Sequence, residues 1–156
     1  MENRARPVPQ GHAALRRGRV SLPNQVYLIT FTTHRRKPVF AESCSAMAAA
    51  RAMTAGCLWQ RSRLLAWVLM PDHWHGLVQL GEHEALSALI QRLKANTARN
   101  LPAHIAWPIW ASGFHDHALR KDEELLAAAR YLVMNPVRAR LARTPREYSY
   151  WDAVWV

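Results

Sequence analysis

The sequence is poor in cysteine, in acid and in long apolar runs. Two cysteines, Cys44 and Cys57, cannot build a disulfide framework and are too few for a zinc knuckle. A reducing, cytoplasmic setting is therefore the expectation. No apolar stretch approaches the roughly 18 residues that span a bilayer; the richest, Leu64 to Met70, has strand length. Met1 to Gln10 is polar and proline-containing and lacks the apolar centre of a secretory signal. Acidic residues number only 11 against 21 Lys and Arg, which leaves a net charge of +10. That imbalance favours polyanionic partners.

What is present fits one folded domain. The chain has 156 residues, half of them hydrophobic, with 7 Trp. Such a composition folds rather than remaining a disordered tail. The cationic charge is mostly arginine and is clustered, in Arg16-Arg17-Gly18-Arg19 and Arg35-Arg36-Lys37. A guanidinium fork matches phosphates and base edges better than an ammonium does. Nucleic acid is favoured over an acidic membrane, and charge alone does not separate DNA from RNA.

Residues 1–24 read as a basic arm punctuated by Pro and Gly, and 25–156 as a single catalytic-type domain. Val26 to Thr33 is β-branched and aromatic on both faces, as in a central strand. Glu42 to about Cys57 is rich in Ala and Met and predicts a helix. Arg63 to Met70 and Trp74 to Leu80 predict two strands around a Pro71-Asp72 turn. Over Glu84 to Asn100, Leu86, Leu89, Ile90, Leu93 and Thr97 recur at helical spacing. Phe114 to Leu119 predicts a short strand, and Glu123 to Met134 a helix capped by Asp122 and stopped by Asn135-Pro136. The order β-α-β-β-α-β plus one helix predicts an α+β, ferredoxin-like sheet. Two helices would cover one face, leaving the last to cross the other.

Four groups carry potential chemistry. His73 and His75 flank Trp74 on one strand, so their imidazoles share a face and can chelate a divalent cation. Ordinary hydrogen-bonded histidines are the commoner reading of an isolated pair. Tyr131 and Asn135 lie four apart on the last helix and project about 40° apart. Tyr131 falls nearly opposite the stripe Leu125, Leu126, Ala129, Leu132 and Val133, so it is not expected to fill that core. His115 and His117 form a second pair on the fourth strand. They allow a rival site in which four histidines hold zinc.

Together these pieces resemble the REP-associated tyrosine transposases, within the single-tyrosine HUH (IS200-like) transposases. The resemblance runs from about Arg16 to Trp151. It rests on Arg16-Arg17-Gly18-Arg19, Met70-Pro71-Asp72-His73-Trp74-His75, Trp110 with Gly113-Phe114-His115-Asp116-His117-Ala118-Leu119-Arg120, and Tyr131-Leu132-Val133-Met134-Asn135-Pro136-Val137-Arg138-Ala139. The resemblance implies His73 and His75 as metal ligands, Asn135 as a third ligand and Tyr131 as nucleophile. The metal would be Mg²⁺ or Mn²⁺ rather than Zn²⁺. The substrate would be single-stranded or hairpin repeat DNA, cut and rejoined through a 5′-phosphotyrosine. Arg16, Arg17, Arg19, Arg35, Arg36, Lys37, Arg120 and Arg138 would grip that DNA, and a homodimer is allowed. Two positions depart from the family pattern: Asp72 stands for a usual Asn, and Arg140 for a usual Gly. The competing readings are a zinc hydrolase built on the four histidines and a non-catalytic nucleic-acid-binding module.

Overall fold

The computed structural model describes residues 21–120 and 122–155. The arm residues Arg16, Arg17 and Arg19 lie outside them. Five strands form one antiparallel sheet in the order β4-β1-β3-β2-β5. They are β1 Val26–Thr32, β2 Arg63–Met70, β3 His73–Gln79, β4 His115–Leu119 and β5 Trp151–Ala153. The helices are α1 Ser43–Met53, α2 Leu86–Asn100, α3 Asp122–Val133 and the short α4 Asn135–Arg138. The first four strands and their two crossover helices give the expected ferredoxin-like α+β arrangement. Among the described residues no helix is long and apolar enough to cross a membrane.

Each face of the sheet has its own core. Tyr27, Ile29 and Phe31 alternate along β1 toward α1 and α2. There they meet Ala46, Ala49 and Met53 of α1 and Leu86, Leu89, Ile90 and Leu93 of α2. The small alanines let α1 lie close, and the leucine periodicity of α2 supplies most of the branched bulk. Val26 and Leu28 point the other way, toward a second cluster of Leu65, Ala66, Val68, Met70 and Leu77 covered by Ala129 and Leu132 of α3. So α3 does cross the opposite face.

Three details differ from the reading of the sequence. Leu126 is 41% exposed, so the apolar stripe of α3 is centred on Leu125, Ala128, Ala129 and Leu132. Tyr131 then lies on the flank of the helix, roughly 110° from that centre, rather than nearly opposite it. Helix α3 ends at Val133, just before Asn135-Pro136 as expected, but those two residues also open a further turn, α4, because proline is tolerated in a first turn, where its missing N–H has no helical partner. Strand β5 was unexpected: three residues are too few to show alternation, and pairing with Ala66 to Val68 creates it.

Candidate active site

Strand β3 carries the histidines and fixes their direction through Trp74 between them. Trp74 is fully buried, stacks on Phe31 with ring centroids 5.0 Å apart, and lies over Gly76. Alternation then sends His73 and His75 to the α3 face, with Leu77. Their rings meet edge to face with centroids 4.6 Å apart.

Neighbouring side chains orient both rings. His73 Nδ1 donates to Asp72 Oδ1 at 2.6 Å, since an ionised carboxylate only accepts. The other Asp72 oxygen pairs with Arg36 Nε at 3.1 Å. His75 Nδ1 and Thr30 Oγ1 are bonded at 2.6 Å across the β1–β3 ladder. Both Nδ1 atoms are thus engaged, which leaves the Nε2 positions as the nitrogens through which the pair could hold a metal. Burial lowers the pKa of His75 from 6.5 to about 3, helped by His73, Arg138 and Arg36, with Asp72 opposing. His75 is therefore a neutral imidazole at physiological pH, the form that binds metal.

The four tyrosines have distinct environments. Tyr27 is buried and accepts a hydrogen bond from the Leu22 N–H. Tyr148 donates to the Leu69 carbonyl at 2.6 Å, and burial pushes its pKa up to about 12. Tyr150 is half-buried, edge-on to Tyr148. Tyr131 alone is exposed, at 58%. It rises from α3, the helix that covers the histidine-bearing face. The Arg138 guanidinium sits 3.6 Å above its ring.

Asn135 follows one turn later and is half-buried. Its Oδ1 accepts from Arg138 Nη2, and its Nδ2 is buried without a partner. Among the described residues no group of three His, Cys, Asp or Glu side chains could hold a metal ion. The His73–His75 pair suits a divalent cation whose other ligands are neutral or phosphate oxygens. An Asn carboxamide oxygen is chemically one such donor.

The second histidine pair stays apart from the first. His115 and His117 are exposed on β4, across β1 from His75 and Leu77, with Thr30 and Leu28 between. The structure does not gather the four histidines into the group that the zinc reading requires.

The basic residues also divide. Arg35, Arg36 and Lys37 form a turn braced by His34 N–H to the Ile109 carbonyl and tied to the site through Arg36–Asp72. Arg120 lies at the opposite end of β1, where it lines a cavity of about 490 Å³ with Arg63 and Gln79. Arg140 adopts φ 58°, the left-handed region that favours glycine, the residue that the resemblance implies at this position. Thr30 and Asp72 as orienting groups, and Arg138 as a contact of Tyr131, escaped the sequence reading. So did Trp107, 67% exposed two residues before Ile109. Only the Asp72–His73 adjacency was visible in the chain itself.

A family model for IS200-like transposases matches residues 21–127. The chain belongs to the IS200-like transposase family. The match contains His73 and His75 and ends before Tyr131 and Asn135. This IS200-like chain is 29% identical over 98 residues to a Haemophilus influenzae protein described as a REP-associated tyrosine transposase. That alignment covers 55% of the chain and 56% of the relative, so the chain spans about half the length of the curated relative it matches. Its fold is similar to that of a REP-associated tyrosine transposase solved bound to a REP hairpin. There the TM-score is 0.69 and the identity 18%, over 85% of this chain and 79% of that one.

Proposed function

We propose that this chain is a DNA transposase that cleaves and rejoins single-stranded or hairpin-containing repeat DNA, with Tyr131 as nucleophile and His73 and His75 as ligands of Mg²⁺ or Mn²⁺. One observation carries the reading: the sole exposed tyrosine rises from the helix that packs on the histidine-bearing face. When bound, the metal supplies Lewis-acid polarisation of a non-bridging phosphate oxygen. The family membership and the hairpin-bound structural relative support the class of substrate.

The residues divide the work. His73 and His75 present Nε2 lone pairs, with Asp72 fixing the tautomer of His73 and Thr30 holding the ring plane of His75. Asn135 contributes the third protein ligand through Oδ1. The Tyr131 oxygen attacks phosphorus in line, and the bond to the 3′ oxygen of the preceding nucleotide breaks. A 5′-phosphotyrosine and a free 3′-hydroxyl result, the phenolic proton passing to solvent and a proton returning to the leaving oxygen. A later 3′-hydroxyl reverses the step and joins new ends. Arg35, Arg36 and Lys37 hold backbone phosphates beside the site. Trp107 offers an aromatic face next to that turn, through the Ile109–His34 bond.

The test is a denaturing gel with labelled single-stranded DNA carrying the hairpin repeat that flanks this gene, in Mn²⁺. A protein–DNA adduct that needs metal and is absent in Tyr131→Phe and His73→Ala is the expected result. Cleavage persisting in Tyr131→Phe makes water the nucleophile and overturns the reading.

A further inference from the structure

Arg138 makes three contacts with one guanidinium. Its Cζ lies 3.6 Å above the centre of the Tyr131 ring, its Nη1 donates to the Tyr131 carbonyl at 3.0 Å, and its Nη2 donates to Asn135 Oδ1. Two of these partners are the groups that the proposed chemistry needs free: the phenol, which must reach phosphorus, and the carboxamide oxygen, which must face the histidine pair. Arg138 and Tyr131 are both exposed. Among the described residues no carboxylate is paired with Arg138, so its partners are a carbonyl, an amide oxygen and a ring face, all neutral.

We propose that Arg138 is a positioning residue that works as a phosphate-operated latch, an inference that rests on Tyr131 being the nucleophile. In the free protein it pins the phenol ring and the Asn135 amide to each other. A phosphodiester entering between α3 and the histidines takes the guanidinium, because a charge-assisted fork to phosphate is stronger than either a cation–π contact or a bond to a neutral amide. The ring is then free to rotate toward phosphorus, and Asn135 Oδ1 toward the histidine pair. Arrival of substrate and release of the nucleophile thereby become one event. The unpartnered Asn135 Nδ2 fits this picture, since the amide gives up a hydrogen bond in the held position that turning restores. Lysine in place of Arg138 keeps the charge but loses the planar face and the fork, so it does not substitute.

The experiment uses the full chain with 3-fluorotyrosine at its four tyrosines, the Tyr131 resonance being assigned from Tyr131→Phe. Arg138→Gln and Arg138→Lys are expected to move the Tyr131 fluorine signal and leave those of Tyr27, Tyr148 and Tyr150 in place, which also reports that the variants fold. A single-stranded hairpin oligonucleotide added without metal, so that nothing is cut, is expected to move the wild-type signal toward the Arg138→Gln position. The variant's signal should not respond. A Tyr131 signal indifferent to both substitutions, or unmoved in wild type when fluorescence anisotropy shows the DNA bound, overturns the latch. Neither result depends on bond cleavage. A latch that fails while the adduct still forms leaves the nucleophile in place, and an adduct lost for other reasons leaves the latch readout intact.

Discussion

Asp72 holds His73 through a 2.6 Å bond to Nδ1 while its second oxygen takes Arg36 at 3.1 Å. One carboxylate thus sets the tautomer of a candidate metal ligand and ties the site to the basic turn. Asp72→Ala is expected to weaken Mn²⁺ binding about 10- to 100-fold, the usual cost of losing such a partner. Asp72→Asn, which keeps an accepting oxygen, should retain most of the affinity. Isothermal titration with Mn²⁺ measures both, and equal losses in the two variants would show that charge rather than orientation matters.

His75 makes stability depend on acid. Its folded pKa of about 3 lies below the ordinary 6.5, so between these values the unfolded chain binds the extra proton. The contribution is complete above pH 6.5 and is lost as pH falls toward 3. It is on the order of a few kcal/mol, because each pH interval of one between the folded and unfolded values contributes about 1.4 kcal/mol. His75→Gln should flatten the melting temperature across that window in differential scanning calorimetry. A wild-type acid slope unchanged in the variant would assign it to other groups.

Gly76 is required by Trp74, whose indole occupies the space a Cβ would take. Gly76→Ala should destabilise by about 1–3 kcal/mol through overpacking, roughly 2–12 °C in a chain of this size. It should also loosen the histidine pair on the same strand. An unchanged melting temperature would mean that the indole moves aside freely.

Trp107 tests the substrate class. Trp107→Ala should weaken binding of a single-stranded oligonucleotide roughly 5- to 150-fold, as for one lost stack of about 1–3 kcal/mol. Trp107→Phe should recover part of that loss, and blunt duplex should be little affected. Anisotropy at fixed salt decides it, since phosphate contacts by a chain of +10 charge make affinity fall steeply with salt.

Much of this molecule was legible in one dimension. The two-faced apolar content of β1, the leucine spacing of α2 and the order of elements specify the sheet and its two cores, because burial periodicity is a local property of the chain. His73 and His75 share a face for the same reason. The flank position of Tyr131 was only half legible: its helix was clear, but Leu126 counted in the apolar stripe and is exposed in fact. Strand β5, three residues long, has no signal until β2 offers an edge.

By itself, the sequence determined the fold class, the basic surface and the identity of the candidate nucleophile and metal ligands. The fold class follows from burial periodicity within single elements, whereas the candidate roles of Tyr131, His73, His75 and Asn135 follow from the family resemblance of the motifs that contain them. Only the tertiary structure decided what the residues touch. Thr30 meets His75 across 45 positions of sequence, and β1 keeps His115 and His117 away from the first pair. Such contacts are set by strand pairing and helix packing, which bring together side chains whose separation along the chain carries no record of the encounter.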